Sequence, residues 1–392
     1  MSACGSRRMA LHILAISPKT RWVFVQLEHP DGRVGTGEAT LNGQEAALAT
    51  AAERLAGRAL DCFDSAPERF AAAIVPADLA EAAIVSAIDQ ALWDLYAQGA
   101  GIRLADALGN TLSVSVTVSG TPRESIPIYA NINRRTVSRT PHGFAQSARD
   151  AFAAGFRAVK IAPFDEVDPA LCAGGGGDAA MQAGLARIAA VRAEIGPDCR
   201  LMVDCHWRFD EPTAGRLIRA GVGSGIYWIE CPLPEVDTQI PALVRLRGIA
   251  NADGIRLAGL EQSIGFAAFR PYCEAGAYDV VMPDVKYIGG LREMLRATEA
   301  FARYGVEVSP HNPTGPIAHA ASLHVGAVME TFDALELQFD ESPLFDALVG
   351  GGLPPRIIGR SVLPAGPGLG VRLDPRLLSV HAQGAARVWT AR

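Results

Sequence analysis

The sequence lacks the features that mark a membrane protein or a nucleic-acid-binding protein. No apolar run reaches the roughly 20 residues that a membrane-spanning helix requires. Acidic residues (42) outnumber basic ones (36), for a formal net charge of −6, and no basic stretch is dense enough to follow a phosphate backbone. We therefore expect neither a membrane nor a nucleic acid as a partner.

Cysteine is scarce and follows no pattern. The seven cysteines are odd in number, scattered, and nowhere spaced as C-x-x-C. This argues against a disulfide framework or a zinc site and favours reduced thiols in a cytoplasm. Arg7 and Arg8 resemble the basic start of an export signal, but the apolar stretch after them is short. It leads into residues 21–39, whose pattern predicts a two-stranded β-hairpin with its turn at Pro30-Asp31-Gly32.

What is present is the composition of a soluble globular protein, with 49% apolar and 20% charged residues. A length of 392 residues favours two domains, or one barrel with an appendage. Residues 44–109 carry helical patterns, and from Ser125 onwards β-rich segments alternate with amphipathic ones. Eight β-rich segments are predicted as strands: 126–131, 157–162, 200–205, 226–230, 255–261, 278–284, 306–310 and 334–338.

The alternation of strand and helix predicts parallel strands joined by right-handed crossovers. Eight such units favour a (β/α)-barrel over an open sheet. The alternative, an open dinucleotide-binding sheet, needs a glycine-rich turn between its first strand and a helix, and the sequence has none there. The glycine-rich segment 221–225 instead follows a predicted helix and precedes a strand. The predicted fold class is therefore α/β, with a TIM-type barrel.

Polar residues end the predicted strands, which is where barrel enzymes place their catalytic groups. In a strand, residues i and i+2 share a face, so Asp204 and His206 are expected to lie together at the tip of the third strand. The full set of strand-end residues is Lys160, Asp204, His206, Glu230, Glu261, Asp284, His311 and Glu336. Three carboxylates on successive strands would repel one another without a cation between them, and all-oxygen ligands favour Mg²⁺. Each carboxylate taken alone could equally be a structural one.

His311 follows the seventh strand, and Asp284 ends the sixth. On neighbouring strands, Asp284 could accept from one ring nitrogen of His311 and raise the basicity of the other. A single histidine in a loop is more often structural than catalytic, so the prediction depends on the whole series of strand ends. Lys286 and Tyr287 are interpreted as ordinary loop residues.

Taken together, these residues resemble the enolase superfamily, mandelate racemase subgroup. The resemblance implies an N-terminal α+β capping domain (1–124), a modified TIM barrel (125–355) and a C-terminal segment (356–392) that returns to the capping domain. It implies Mg²⁺ on Asp204, Glu230 and Glu261, a base formed by His311 and Asp284, and Glu336 as a hydrogen-bonding partner of the enediolate intermediate. The Asp-x-His pattern on strand three and the segment SPHNPTGP resemble the corresponding segments of sugar-acid dehydratases within this family.

Three positions depart from the family's pattern. Where racemases of the family carry Lys-x-Lys, this chain has Lys160 followed by Ile161 and Ala162, so a second lysine base is missing. The usual Glu-Glu-Pro is here Glu-Cys-Pro, with Cys231 after Glu230. The common Gly-Glu after strand five is Leu-Glu, ending in Glu261.

The sequence thus predicts Mg²⁺-dependent dehydration of a sugar acid. His311 would remove the α-proton, Lys160 would add positive charge beside the Mg²⁺, and His206 would protonate the departing β-hydroxyl, giving a 2-keto-3-deoxy acid. Two alternatives stay open: a racemase or epimerase in which His206 returns the proton, and a non-catalytic protein that binds sugar acids or metal. We also expect a homo-oligomer, and the loop 18–21 is a candidate for substrate specificity.

Overall fold

The computed structural model describes residues 6–112, 121–350 and 352–391. Near its N-terminus the chain forms an antiparallel sheet whose strands are β1 (Arg7–Ala15), β2 (Arg21–Glu28), β3 (Val34–Glu38) and β14 (Arg387–Ala391). Their order in the sheet is β14-β1-β2-β3. The predicted hairpin is present as β2 and β3, and a further strand precedes it. The apolar stretch before the hairpin is itself β1, because it pairs with β2 on one side and β14 on the other.

Four helices accompany this sheet: α1 (Glu45–Asp61), α2 (Glu68–Ala72), α3 (Leu79–Ala100) and α4 (Leu104–Leu112). Helix α3 begins where the Asp78 carboxylate accepts a hydrogen bond from the Glu81 amide at 2.8 Å, and it ends at Gly101, whose φ is 69°. The helix is buried on most of its surface, because the sheet covers one side and the barrel another. It therefore forms the core of the N-terminal part.

The eight predicted barrel strands are all present, although most are shorter than expected. They are β4 (Ser125–Asn131), β5 (Ala158–Ile161), β6 (Arg200–Asp204), β7 (Ile226–Glu230), β8 (Arg256–Gly259), β9 (Val280–Val281), β10 (Glu307–Val308) and β11 (Leu335–Gln338). A parallel ladder runs from β4 to β10, and β11 pairs with β4. The ladder is open between β10 and β11, where the Asp333 amide donates to the Val308 carbonyl at 2.9 Å.

Helices follow the strands around the outside of the barrel. They are α5 (Pro141–Ala153), α6 (Pro169–Ala173), α7 (Gly177–Ile195), α8 (Glu211–Gly221), α9 (Ile240–Ala252), α10 (Gly265–Ala275), α11 (Leu291–Arg303), α12 (Pro316–Val328) and α13 (Leu344–Ala347). Helix α14 (Pro375–His381) belongs to the C-terminal segment and contacts β1 of the N-terminal sheet. Several of these helices begin with a side-chain N-cap and a proline in the first turn. At the start of α8, for example, the Asp210 carboxylate accepts a hydrogen bond from the Thr213 amide at 2.9 Å. Such caps fix where each strand-to-helix loop ends.

Successive side chains of each barrel strand point alternately into the barrel interior and towards the outer helices. Tyr129, Met202 and Trp228 pack together in one buried cluster, whereas Leu201 and Val203 belong to the core shared with the helices. Cys205 belongs to that outer core, as its alternation with Asp204 predicts. The six cysteines of the described residues are unpaired thiols, and Cys4 lies outside those residues.

The C-terminal segment contacts both parts of the molecule. A short hairpin, β12 (Arg356–Ile357) and β13 (Arg360–Val362), adds antiparallel to β4 of the barrel. Farther along, the Leu369 amide donates to Asp94 of α3 at 2.9 Å, and β14 then joins the N-terminal sheet. None of the helices in the described ranges combines the length and the apolar character needed to cross a bilayer.

A carboxylate of the N-terminal sheet also caps a barrel helix. Glu38, at the end of β3, accepts from the Gly315 amide at 2.7 Å through Oε1 and from the Ala318 amide at 2.9 Å through Oε2. It therefore satisfies amides at the start of α12, where the helix dipole also favours negative charge. This contact fixes the end of the loop that begins at His311.

Candidate active site

Three carboxylates lie at the C-terminal ends of adjacent strands. Asp204 and Glu230 are the last residues of β6 and β7 and lie opposite each other in the strand register. Glu261 follows β8 by two residues. All three are buried. The chain turns sharply after each strand, with Cys231 at φ 47° and Leu260 at φ 74°. Residues other than glycine rarely adopt this left-handed backbone conformation, and it is found at functional sites.

The carboxylates of Glu230 and Glu261 fit a hard cation. Together with the Cys231 thiol, they offer ligand atoms that lie within 4.8 Å of one another. Burial, with the negative charges of Asp204 and Glu230, raises the pKa of Glu261 well above its usual value. Its only ion-pair partner in the described part of the chain is His311. Glu261 therefore has no lysine or arginine partner in the described ranges, and buried carboxylate oxygens such as those of Glu230 and Glu261 are donors that Mg²⁺ would stabilise.

The thiol of Cys231 also faces this cluster. Burial raises its pKa well above the ordinary value, so the sulfur stays protonated and is a poor ligand for Mg²⁺. Asp204, the third predicted ligand, accepts from His206 through both oxygens: from the amide at 2.9 Å and from Nε2 at 2.7 Å. Binding of Mg²⁺ to Asp204 would therefore compete with the imidazole.

His206 reaches Asp204 by a different route from the one expected. Strand β6 ends at Asp204, and His206 lies beyond it with φ 47°, so a left-handed turn rather than strand alternation brings the two side chains together. The His206 side chain is 43% exposed, in contrast to the carboxylates. The negative charge of Asp204 raises the pKa of His206 and favours the protonated imidazole. An exposed, protonated ring can donate a proton to a bound molecule.

Lys160 is buried between two carboxylates. Its Nζ lies 2.7 Å from Glu230 Oε1 and 2.9 Å from Glu336 Oε1. Burial alone would lower the pKa of Lys160, but the two acids outweigh it and hold the pKa well above the ordinary value. Glu336 also accepts from the Asn312 amide at 3.0 Å and from the Asn131 side chain at 2.6 Å. Both Glu336 oxygens are thus engaged by the protein.

His311 and Asp284 form the predicted pair. His311 Nδ1 lies 2.7 Å from Asp284 Oδ2, and Nε2 lies 3.5 Å from Glu261 Oε2, facing the carboxylate cluster. Burial lowers the pKa of His311, which favours the neutral imidazole, although Asp284 acts in the opposite direction. The ring is held by Asp284 and presents its other nitrogen to the site, as a base would require.

Lys286 was interpreted as an ordinary loop residue, and the structure places it in this pair. Its Nζ lies 2.6 Å from Asp284 Oδ2, and its amide donates to Oδ1 at 2.7 Å. The ammonium is buried. The pKa of Asp284 stays below its usual value despite burial, because Lys286 and His311 stabilise the carboxylate. The Asp-x-Lys spacing was the only sequence signal for this contact.

All eight predicted side chains therefore lie at one end of the barrel, and contacts join most of them. The loop 18–21, the candidate for specificity, reaches this end through Thr20, whose hydroxyl donates to Glu341 after β11. Arg134, after β4, donates to the same carboxylate at 3.1 Å. The N-terminal part thus covers one side of the barrel mouth, as a cap would.

Comparison with known proteins identifies the family. Residues 143–377 match the model of the enolase C-terminal domain-like family, and residues 7–109 match the mandelate racemase / muconate lactonizing enzyme N-terminal domain. The chain therefore belongs to the enolase superfamily, mandelate racemase subgroup, and its fold is that superfamily's α/β barrel with an N-terminal capping domain. Members of this superfamily are enzymes.

Particular relatives refine this picture. The chain is 29% identical over 394 residues to a D-gluconate dehydratase of Thermoproteus tenax, covering 95% of this chain and 74% of the relative. It is 26% identical over 373 residues to a D-galactonate dehydratase of Xanthomonas axonopodis pv. citri (strain 306), covering 91% and 90%. Both relatives are named as dehydratases, that is, hydro-lyases.

Solved structures show the same fold. An enolase from the environmental genome shotgun sequencing of the Sargasso Sea superposes with a TM-score of 0.85 at 19% identity, covering 99% of each chain. A mandelate racemase/muconate lactonizing enzyme from Jannaschia sp. CCS1 gives 0.81 at 21% identity, covering 97% of this chain and 98% of the other. At these identities the comparison concerns the fold alone.

Proposed function

We propose that the protein catalyses the Mg²⁺-dependent dehydration of a sugar acid, an aldonate, to a 2-keto-3-deoxy acid. The observation that carries this proposal is the orientation of His311. Asp284 Oδ2 holds Nδ1 at 2.7 Å, and Nε2 faces the buried carboxylates of Glu230 and Glu261. A substrate carboxylate held beside those acids would place its α-hydrogen near a nitrogen that can accept it.

The first step is removal of the proton α to the substrate carboxylate. Asp284 keeps the Nδ1 proton on the ring, so Nε2 is the nitrogen that takes the substrate proton. Asp204, Glu230 and Glu261 would hold Mg²⁺, which when bound supplies Lewis-acid stabilisation for the charge that develops on the substrate carboxylate. Lys160 adds a buried positive charge at the same end of the barrel.

Glu336 has a role in this proposal that differs from the sequence expectation. Its two oxygens accept from Lys160, from Asn131 and from the amide of Asn312, the residue after His311. We therefore assign Glu336 to positioning Lys160 and the His311 loop, rather than to direct contact with the enediolate.

The second step is departure of the β-hydroxyl. Hydroxide is a poor leaving group, and His206 can protonate it because its ring is exposed at the barrel mouth beside Asp204. The carbon–oxygen bond breaks, water leaves, and the enol formed tautomerises to the 2-keto-3-deoxy acid. Ala162, where a second lysine base would stand, carries no group to return a proton to the opposite face. Both features favour elimination over racemisation.

The test is to incubate the purified protein with Mg²⁺ and a panel of aldonates that includes D-gluconate and D-galactonate. The assay measures 2-keto acid by colour reaction and α-deuterium incorporation from D₂O by NMR. We expect keto acid from at least one aldonate, and His311→Asn should abolish both signals because neither reaction begins without the base. His206→Ala should retain deuterium exchange and lose dehydration by roughly two to four orders of magnitude.

The two alternative functions predict different results in the same assay. Deuterium exchange or epimer formation by the unmodified protein without any keto acid would point to a racemase or epimerase. Binding of an aldonate with neither signal would point to a non-catalytic sugar-acid-binding protein. A cytoplasmic location and a homo-oligomeric assembly remain predictions from the sequence.

A further inference from the structure

Glu235 contacts the ends of three neighbouring barrel strands at once. It lies in the loop after β7, five residues beyond Glu230. Its Oε1 accepts from the Leu260 amide at 2.6 Å, and its Oε2 accepts from the Trp207 indole nitrogen at 3.0 Å. The Cys231 thiol donates weakly to Oε1 at 3.8 Å.

These three donors share two properties. Each lies within three residues of one predicted Mg²⁺ ligand, and each has a left-handed backbone: Trp207 at φ 59°, Cys231 at φ 47° and Leu260 at φ 74°. Non-glycine residues keep this conformation only where surrounding contacts impose it. A single carboxylate therefore joins the three strained turns that follow β6, β7 and β8.

The surroundings of Glu235 are shaped for its carboxylate. The Tyr278 hydroxyl donates to Oε1 at 2.9 Å. A Cβ atom at Gly259 would lie 2.4 Å from Oε1 and 2.8 Å from the Tyr278 hydroxyl, so the glycine leaves the space that these groups occupy. In the sequence, Cys231 stands where the family's Glu-Glu-Pro pattern would have its second acid. Glu235 supplies a carboxylate at that same strand end.

We infer that Glu235 is a positioning residue for the metal site. By accepting from Trp207, Cys231 and Leu260, it holds the three turns in the arrangement that aims Asp204, Glu230 and Glu261 at one point. Because a ligand set that is already in place loses less freedom on binding, such outer contacts increase metal affinity. The inference rests on the proposed Mg²⁺ site, but it concerns a residue outside the predicted ligand set.

The experiment measures Mg²⁺ affinity by calorimetry on folded, metal-free protein, alongside thermal unfolding without Mg²⁺. Glu235→Leu removes every acceptor, and we expect the Kd for Mg²⁺ to rise about 10–100-fold. Glu235→Gln keeps an acceptor for Leu260 and Tyr278, but its amide N–H groups then face the Trp207 indole N–H. We expect a smaller rise in Kd, which the double variant with Trp207→Phe should reverse because it removes the opposing donor. If Glu235→Leu does not fold, the Kd of Glu235→Gln decides the test.

Asp94→Asn is the matched control, since Asp94 is a buried carboxylate of the capping domain that accepts from the Thr36 amide and from the Leu369 amide of the C-terminal segment. It should lower the unfolding temperature and leave the Kd for Mg²⁺ unchanged. The inference is overturned if both Glu235 variants bind Mg²⁺ within twofold of the unmodified protein, or if Asp94→Asn weakens binding as much as they do. Absence of Mg²⁺ binding by the unmodified protein would instead remove the proposed metal site, and the inference with it.

Discussion

At the scale of single residues, the carboxylate of Asp284 is shared between two basic side chains. His311 Nδ1 and Lys286 Nζ both contact Oδ2, at 2.7 Å and 2.6 Å. A carboxylate that is already paired with an ammonium stabilises an imidazolium less well. Lys286 therefore opposes protonation of His311 and helps to keep the base in its neutral form.

Replacing Lys286 should shift the pH dependence of the reaction. In Lys286→Met, Asp284 is left to His311 alone, so the pKa of His311 should rise. Since the base acts in its neutral form, the acid limb of the kcat/KM profile should move to higher pH. Lys286→Arg keeps the positive charge and should leave the limb near its original position. An unchanged limb in the Met variant would show that Lys286 does not influence the base.

Glu230 should control both the strength and the pH dependence of Mg²⁺ binding. Burial raises its pKa to about 7 in the metal-free protein. A protonated carboxyl is not a ligand, so Mg²⁺ affinity should increase as the pH rises from 6 to 8. Glu230→Gln should weaken binding at least about tenfold at pH 8 and reduce this pH dependence. Calorimetric titration at several pH values measures both, and an unchanged affinity would exclude Glu230 as a ligand.

The sequence located residues at strand ends better than residues in loops. Lys160, Asp204 and Glu230 could be placed because parallel barrel strands carry their C-terminal ends to one face whatever the loops do. Lys286 and Glu235 could not, because their contacts depend on how a particular loop turns after its strand. The left-handed turn at His206 shows the same limit: the neighbour was predicted, but the reason for it was wrong.

At the scale of elements, strand β3 and helix α3 approach each other unusually closely. A Cβ atom at Gly37 would lie 1.9 Å from the Ala87 carbonyl oxygen, and one at Gly35 would lie 2.1 Å from that of Ala91. Both contacts are with backbone, which cannot move aside as a flexible side chain could. The glycines therefore set the distance between the sheet of the capping domain and its central helix.

Adding a methyl group at this contact should destabilise the protein. We expect Gly37→Ala to lower the free energy of unfolding by about 1–3 kcal/mol, the usual cost of overpacking. Gly57→Ala is the matched control, because Gly57 lies in α1, is exposed, and has open space at its Cβ position. It should instead stabilise by about 0.5–1 kcal/mol. Urea denaturation compares the two, and equal stabilities would contradict the close approach.

Strand lengths were overestimated from the sequence for a physical reason. Segments 278–284 and 306–310 were predicted as strands, yet β9 and β10 contain only two residues each. Pro283 and Pro310 lie near the ends of these segments and have no N–H for the ladder. An apolar, β-branched segment indicates that its residues are buried between the barrel and the helices. It does not show how many of those residues form backbone hydrogen bonds with a neighbouring strand, and that number sets the strand length.

At the scale of the whole molecule, distant parts of the chain complete each other. Glu38 of the capping domain satisfies amides of α12 in the barrel, and β14 covers the edge of β1. Neither part therefore has all of its backbone partners without the other. This explains why the return of the chain to the N-terminal sheet, implied by the family resemblance, could not be derived from local patterns.

Removing β14 should expose a β-sheet edge. We expect a variant that lacks 387–391 to unfold at a lower temperature and to associate, because β1 would present unpaired backbone groups. Static light scattering and thermal unfolding measure the two effects. Val388→Lys is the control, since Val388 is 45% exposed and its substitution preserves the backbone pairing. A monomeric deletion variant of unchanged stability would contradict a structural role for the β1–β14 pair.

The pairing of β1 with β14 also has a consequence for synthesis on the ribosome. Strand β1 ends at Ala15 and its partner begins at Arg387, so most of the chain must be made between them. At about 5–20 residues per second, this leaves one edge of β1 without its partner for roughly 20–75 seconds. Arg7 and Arg8 lie at the start of that edge, and charged side chains on an open strand discourage pairing with a second nascent chain.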